Sequence, residues 1–406
     1  MLGIDRLRRL SLFSPAHYSK YNPLATDDLD PCVHALCYGL FEDRQIFAPR
    51  QIARMLDGPG AGVEPKTGAA ASGVLGPIAI YVSSLGNIFM REIAQALQRD
   101  LSELGLQAEL RDETSPIDRR PSVSIFVAPH EFFILGRGGE WIRDDVVTTG
   151  FMVGTEQVQT TWFAKSLPFL LMSRGVIEMC GQTAACLREA SVPALHLTPA
   201  VRRYEPPLSE EDRRHALYRV LPPAAHLAPR PETSFLNRPI DISFFGSDSS
   251  RRHRFLAGHA ALLAEFQNFI YLRSLARGPV GGGPEDAALT RLAGHVAGHS
   301  KIALNIHQSE FGYFEWHRMV RLGMAAGALV VSDPCPAQPR FQAGVHYLEE
   351  SMRQIPNLLE WLLRSPEGQA EAERIRLNTR TLLARLAGAA DNAAPLRDFL
   401  LAHGAP

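Results

Sequence analysis

Two stretches of this sequence crowd residue types that can hold phosphate and sugar oxygens. The first is Phe244-Phe-Gly-Ser-Asp-Ser-Ser-Arg-Arg-His-Arg254. An apolar run ends in Gly246-Ser247, and Ser249 or Ser250 can then cap a helix. The first turn of that helix carries Arg251, Arg252 and Arg254. Cations at a helix start oppose the backbone dipole, so they need a separate reason. A bound diphosphate supplies one, because free N–H groups and a positive helix end suit an anion. The competing reading has the arginines solvated or paired with Asp248.

The second stretch is Asn305-Ile-His-Gln-Ser-Glu-Phe-Gly-Tyr-Phe-Glu-Trp-His-Arg318. Asn305, His307, Phe311, Gly312 and Tyr313 lie in a strand-to-helix loop. Glu310 and Glu315 can accept from sugar or ribose hydroxyls, and His307, His317 and Arg318 can contact phosphate or sugar oxygens. Glu315 and Arg318, three apart, can equally pair on one helix face. The small-residue run from Gly323 to Gly327 predicts close packing of a helix on a strand.

A third set lies earlier in the chain. Ser83-Ser-Leu-Gly-Asn87, Ala128-Pro-His-Glu-Phe-Phe133 and Gly154-Thr-Glu-Gln157 each follow an apolar run. Polar groups at strand ends are where a second substrate and a general base belong. His130, Glu131 and Glu156 are the catalytic candidates, each with an ordinary structural role as the alternative. His130 ranks first, because its unperturbed pKa is nearest neutrality. Ser84, Asn87 and Gln157 are the matching contact residues.

These groups need a scaffold, and the pattern from Pro77 onward provides one. Apolar runs of strand length alternate with amphipathic stretches of helix length, the α/β signature. Strands are expected at 78–82, from 107, and at 122–128, 150–154, 175–179 and 194–197. A helix over 88–104 puts Ile93, Leu97, Leu101 and Leu104 on one stripe and stops at Gly105; a short helix over 181–190 follows. A second series has strands at 241–246, 269–273, 302–306 and 328–332. Its helices are expected at 250–266, 285–298 after a Gly-rich loop at 278–283, 314–326, 351–364 and 368–388.

Composition segments the chain further. Residues 1–57 form a small helical module and 58–76 a Gly/Ala/Pro-rich linker. A first Rossmann-like domain spans 77–200 and a Pro-rich hinge, with one helix at 209–220, spans 201–238. A second Rossmann-like domain spans 239–365, and C-terminal helices fill 366–406. Two such halves are expected to face across a cleft, with ligands beyond the carboxyl ends of their strands.

The global balance is that of an ordinary globular protein. Of 406 residues 46% are apolar and 21% charged, and the net charge is -1. That balance does not call for nucleic acid or an anionic membrane. Five cysteines at 32, 37, 180, 186 and 335 form no CxxC pair, which argues for a reducing compartment and against disulfides. The basic segment Met1 to Leu12 lacks the apolar stretch of a signal peptide, and no run reaches membrane-span length, so a cytoplasmic location is expected. The chain has no P-loop, no GxGxxG after a strand, no GxSxG elbow and no DxD; Asp27-Asp28 and Asp144-Asp145 are merely adjacent. No metal or cofactor is expected.

The stretch YFEWHRMVRLGMAAGALVVSD, with Ser309-Glu310-Phe311-Gly312 before it, resembles the donor-binding half of glycosyltransferases of the GT-B fold. There a loop of the form E-x-F-G, a helix and M-A-x-G-x-x-V-V-x-S/D bind the donor. Here Glu310 directly precedes Phe311, and Leu322 stands where a second Glu is frequent. The sequence is most similar to a branch with CgeB-like and other bacterial family-1-type members, over residues 236–350. Phe13-Ser-Pro-Ala-His-Tyr18 and Asp30-Pro-Cys-Val-His-Ala-Leu-Cys-Tyr-Gly-Leu-Phe-Glu-Asp-Arg44 resemble a short helical module often appended to bacterial glycosyltransferases, with Ala35 and Asp43 replacing its usual Tyr and Gly.

The resemblance implies sugar transfer from a nucleotide-diphosphate sugar to a hydroxyl of a glycan, protein or small molecule. Without a DxD, a metal-independent mechanism is expected, in which the helix start and arginines would stabilise the leaving diphosphate. Residues 1–57 would serve docking, oligomerisation or acceptor presentation, or equally would be a small helical cap packed on the first domain. A non-catalytic nucleotide-sugar-binding or scaffold protein of the same fold, and a sugar-nucleotide epimerase, are the competing readings.

Overall fold

The computed structural model describes residues 2–23, 28–39, 42, 44–58, 75–199, 201, 208–274, 280–281 and 283–404. Most of the expected linker, residues 202–207 of the expected hinge, and 278, 279 and 282 of the Gly-rich loop lie outside the described residues, as do Asp27 and Asp43. The chain divides into two compact units, Met1–Ala200 with Gly388–Pro406, and Val201–Ala387. The expected C-terminal block at 366–406 is thus split. Pro366–Leu386 packs in the second unit, whereas Ala389–Gly404 contacts the helix Ile88–Glu103 in the first.

The first unit is built on six parallel strands: β1 (Ile78–Tyr81), β2 (Ala108–Arg111), β3 (Val123–Val127), β4 (Phe151–Gly154), β5 (Gly175–Glu178) and β6 (Ala194–His196). Their order is β2-β1-β3-β4-β5-β6, so the direction of winding reverses between β1 and β3. The strands β1, β3, β4 and β5 are buried throughout, as expected of a parallel sheet covered on both faces. Asn87 Oδ1 accepts from Phe89 N–H and starts the helix Ile88–Glu103; Gly105, at φ +78°, ends it.

A twelve-residue helix here is among those not foreshadowed by the sequence. Thr161–Met172 carries Pro168 in its interior, a residue that ordinarily breaks a helix, yet seven neighbours including Leu167 and Leu170 are buried. The N-terminal helices pack onto this same helix: Arg6 Nη1 donates to the carbonyls of Leu171 (2.6 Å) and Ser173 (3.1 Å).

The second unit has five parallel strands: β7 (Ile240–Ser247), β8 (Asn268–Arg273), β9 (Ser300–Asn305), β10 (Leu329–Ser332) and β11 (Leu348–Glu349). Their order, β11-β10-β9-β7-β8, reverses between β7 and β9. Ile242, Phe244, Ile302, Leu304, Leu329 and Val331 form the sheet side of its core, against Phe255, Leu359, Leu362 and Ile375. Gly323 meets the sheet closely: a Cβ there would lie 2.5 Å from Val330 Cγ2, so the small-residue run does serve close packing.

Both units are therefore α/β and Rossmann-like, with helices ahead of the first, which is the class expected from the sequence. Several helix limits differ, each for a local reason. The helix expected at 209–220 is two, Glu210–Arg214 and Ala216–Arg219. A capping box between Ser209 and Asp212 holds the first, and His215, extended at ψ 142°, caps the second. The helix expected at 250–266 breaks at His259. That expected at 314–326 starts at Trp316 and is a π-helix, closed by bonds such as Ala325 N–H to Val320 O (2.9 Å). That expected at 351–364 starts at Ile355, with Pro356 in its first turn. No helix among the described residues is long and apolar enough to cross a membrane.

Candidate functional site

The reversal between β7 and β9 is where an open α/β sheet forms a crevice beyond its strand ends. Arg252 lies across it, fully buried. Its Nη1 donates to Ser247 O at the end of β7 (2.8 Å), and its Nε to Ile306 O just past β9 (2.7 Å). Its Nη2 makes no hydrogen bond and lies 3.7 Å from Glu315 Oε1. Burial, with the nearby Arg318 charge, pushes the guanidinium down to about 9. Ser249 caps the helix that carries it, its Oγ accepting from Arg252 N–H (3.3 Å).

Arg318 joins from the π-helix. It pairs with Glu315 Oε2, so the expected pairing of these two is realised. Its Nη1 has no hydrogen-bond partner and sits 3.1 Å from where a Cβ on Gly246 would be. A side chain at the end of β7 would therefore crowd this guanidinium.

Arg251 points to the next strand. Its Nη1 reaches Asp333 Oδ2 (2.5 Å) and His307 O (3.2 Å), and its Nε reaches Glu310 Oε2 (3.4 Å). Asp333 follows β10 and was not among the residues singled out by sequence. Its Oδ1 accepts from His307 N–H (3.0 Å) and lies 2.6 Å from His307 Nδ1, while His307 Nε2 contacts Tyr313 O (2.7 Å). Burial alone would raise the Asp333 carboxyl; the hydrogen bond and charge of His307, with Arg251, outweigh it and hold the group below its usual range.

The rest of the expected donor set sorts around this centre. Asn305 Nδ2 donates to Ser332 Oγ across β9 and β10 (3.0 Å). Gly312 lies so close to Pro334 O that a Cβ would come within 2.4 Å, so the Phe311-Gly312-Tyr313 turn packs on the segment after β10. Glu310 stays three-quarters exposed, facing Arg251 and Arg254 (3.7 Å). Arg254 is mostly in solvent, its Nε on Ser250 O (3.3 Å), and His317 is half-buried beside Trp316. The arginines are thus not held by Asp248, which instead lies 3.8 Å from His253.

In the first unit, three neighbouring strands each have a glutamate at, or within four residues past, their carboxyl end. Glu131 follows β3, Glu156 follows β4 and Glu178 closes β5. Glu131 accepts from Asn87 N–H (2.9 Å), bridging the reversal between β1 and β3. Glu178, missed in the sequence, is fully buried; its Oε1 accepts from Cys180 N–H (3.1 Å) and its Oε2 has no partner. A Cβ at Gly154 would lie 2.0 Å from that oxygen, so any larger residue there would displace the Glu178 carboxyl.

Burial sets the protonation of this group. It pushes the Glu178 carboxyl well above its ordinary value and, with the Glu131 charge, lifts Glu156 to about 7. Glu131 is raised by burial too. His130 goes the other way: burial, with the Lys165 charge, pushes it down to about 3. Its Nδ1 contacts Ser166 Oγ (2.9 Å), and its Nε2 lies 3.5 Å from Glu156 Oε1. Glu156 keeps one-fifth of its side chain exposed, whereas His130 keeps almost none.

Ala128 precedes His130 and Glu131 in the left-handed region (φ 52°, ψ 73°), a strained conformation for alanine at the turn that aims both side chains. Of the contact candidates, Asn87 is the helix cap. Ser84 is held by Glu113, through its N–H (2.8 Å) and Oγ (2.5 Å). Gln157 Oε1 accepts from Gln159 Nε2 (2.7 Å). Among the described residues no group of three or more His, Cys, Asp and Glu is placed to hold a metal ion.

No protein-family model matches the chain, and no curated protein matches it. Among solved structures the chain is similar to Anabaena Alr3699/HepE in complex with UDP and glucose, at 9% identity and a TM-score of 0.48, covering 80% of this chain and 98% of that one. It is also similar to a glycosyltransferase from Rickettsia africae ESF-5, at 11% identity and 0.46, covering 81% and 98%. A third is the DNA-modifying enzyme β-glucosyltransferase, at 10% identity and 0.43, covering 79% and 99%. These likenesses assign no activity and no residue role to this chain.

Proposed function

We propose that this protein is a glycosyltransferase that moves a sugar from a nucleotide-diphosphate sugar to an acceptor hydroxyl without a metal ion. The observation that carries this reading is the gathering of Arg251, Arg252 and Arg318 at the β7/β9 reversal, with N–H groups of Arg252 and Arg318 unused by the protein. Burial first, and the Arg318 charge second, hold Arg252 below its ordinary value, so positive charges stand close together away from water. A diphosphate would relieve their repulsion and accept the spare N–H groups. Glu315 and Asp333 hold the guanidinium groups in place.

In this reading the first unit takes the acceptor, and Glu156 is the base rather than His130. A group near 7 can take a proton at neutral pH, whereas an imidazole near 3 is too weak a base. Glu156 removes the proton from the acceptor hydroxyl as its oxygen bonds to the anomeric carbon. The bond from that carbon to the diphosphate oxygen breaks, and the diphosphate leaves with the electron pair. The guanidinium groups neutralise the charge that develops on it. His130, braced by Ser166, orients the Glu156 carboxyl.

A thermal-shift panel of UDP-, GDP-, ADP-, CMP- and dTDP-sugars tests the donor side. A ligand at 100 times its dissociation constant adds about 2.7 kcal/mol, so at least one member should raise the unfolding temperature. A panel with no shift, and no heat in calorimetry with the free diphosphates, would sink the reading. Release of the sugar onto an acceptor then separates a transferase from a protein that only binds.

Arg318→Ala sharpens the test. The change removes its pair with Glu315, but that carboxylate also faces Arg252 at 3.7 Å, so the fold should survive. A charge-assisted hydrogen bond contributes about 1.5–3 kcal/mol, so the dissociation constant of the best nucleotide diphosphate should rise roughly 10- to 100-fold in calorimetry. An unchanged constant would remove Arg318 from the donor site.

A further inference from the structure

We propose that Trp162 is a platform on which a pyranose ring of the acceptor stacks, so that the acceptor is a carbohydrate. This rests on the reading of the first unit as the acceptor side.

The four tryptophans divide sharply. Trp141 and Trp316 are buried, at 1% and 5% exposure, whereas Trp162 and Trp361 keep 44% and 41%. Single exposed apolar side chains are common and call for no explanation. Trp162 differs by its position. It is the second residue of the helix Thr161–Met172, whose first turn Thr160 caps, directly after the loop that carries Glu156 and Gln157. Its ring lies 5.8 Å from the ring of His130, which in turn contacts Glu156. The indole therefore stands at the carboxyl edge of the sheet, beside the carboxyl group read above as the base.

Its neighbours fit a sugar. A pyranose presents an apolar C–H face and a rim of hydroxyls. The face matches a large flat ring with few rotatable bonds. The rim needs groups that both accept and donate. Glu156 accepts, Gln157 does both, and Lys165, whose Nζ sits over the Trp162 ring 4.9 Å from its centroid, donates once a sugar takes its place on that face. An acceptor with an aromatic ring would instead call for apolar walls, and a carboxyl, an amide and an ammonium group are poor ones.

Saturation-transfer NMR on the full chain tests this, with methyl β-D-glucopyranoside, methyl β-D-galactopyranoside and chitobiose as probes and p-nitrophenol as the aromatic control. At least one sugar should receive saturation on its ring C–H protons. Trp162→Ala should weaken that binding about tenfold, Trp162→Phe less than threefold, and Trp361→Ala not at all. If Trp162→Ala fails to fold, Trp162→Gln at the same exposed position carries the same comparison. Saturation of no sugar, of p-nitrophenol alone, or equally in the wild type and Trp162→Ala would overturn the proposal. Calorimetry with UDP and GDP on the same samples keeps the two readings apart. Sugar binding without nucleotide binding counts against the donor reading only, and the converse against this proposal only.

Discussion

Glu156→Gln is expected to slow sugar transfer by about 10²- to 10⁴-fold, the usual contribution of a positioned general base, while leaving nucleotide binding unchanged. The substitution keeps shape and hydrogen-bonding capacity but removes the ability to take a proton. In the wild type, the rate at low substrate should rise with pH through about 7, where the Glu156 carboxyl ionises. Stability should move in the opposite sense. Burial raises this carboxyl above its ordinary value of 4.5, so the folded protein holds a proton that the unfolded chain has released. The folded state is favoured fully below the unfolded value, and that contribution is lost as pH rises through about 7. Glutamine cannot ionise. Glu156→Gln should therefore unfold at a higher temperature than the wild type at pH 8 and match it near pH 4. Thermal unfolding across pH beside a transfer assay checks both. A variant that keeps its rate, or a wild type flat in pH, would move the base elsewhere. In the proposed transfer, a base held in a partly buried carboxyl is a stability cost accepted for activity.

How much of this could be read in the sequence depends on whether a residue's role is local. The sheets were legible because parallel strands buried on both faces read as apolar runs, such as 78–81 and 123–127. The arginine-rich helix start was legible because strand, cap and cations are contiguous. Asp333 was not. It meets His307 and Arg251 because β9 and β10 are neighbours in register, with Ser332 opposite Asn305, and that pairing spans 27 residues. The one available signal was an acid directly after an apolar run. Glu178 ends such a run as well, and its significance appears only when β4 and β5 bring it against Gly154 and Glu156. His130 shows the limit of judging a base by residue type: burial, which no local pattern reports, takes its pKa far from neutrality. The helix with Pro168 inside it is another tertiary effect, since buried packing outweighs a broken backbone bond.

Arginine itself makes the point most strongly, because one residue type serves opposite ends of the second sheet. Arg238 precedes β7 at the edge away from the candidate site and is almost wholly buried. Its Nε donates to Thr233 O (3.3 Å), Nη1 to Gly298 O and Ser300 O (3.0 Å each), and Nη2 to Pro231 O and Ala326 O (3.2 Å each). One guanidinium thus ties together the segments that lead into β7, β9 and β10. Its donors are taken up by carbonyls, whereas Arg252 and Arg318 keep N–H groups unspent. Arg238→Ala would leave several buried carbonyls without a donor, each costing about 1–3 kcal/mol where water cannot enter. A total loss of about 3–5 kcal/mol is expected, or roughly 6–20 °C in the unfolding temperature of a unit this size. Arg238→Lys should fare little better, since one ammonium cannot span three segments. The two units need not unfold together, so hydrogen exchange is the discriminating measurement. Amides of β7, β9 and β10 should lose protection while those of β1, β3 and β4 keep theirs. On the proposed donor site, a saturating nucleotide diphosphate should restore part of that protection, since it would bind only the folded second unit. Uniform loss across both sheets, or none, would show that Arg238 is not the tie its hydrogen bonds describe.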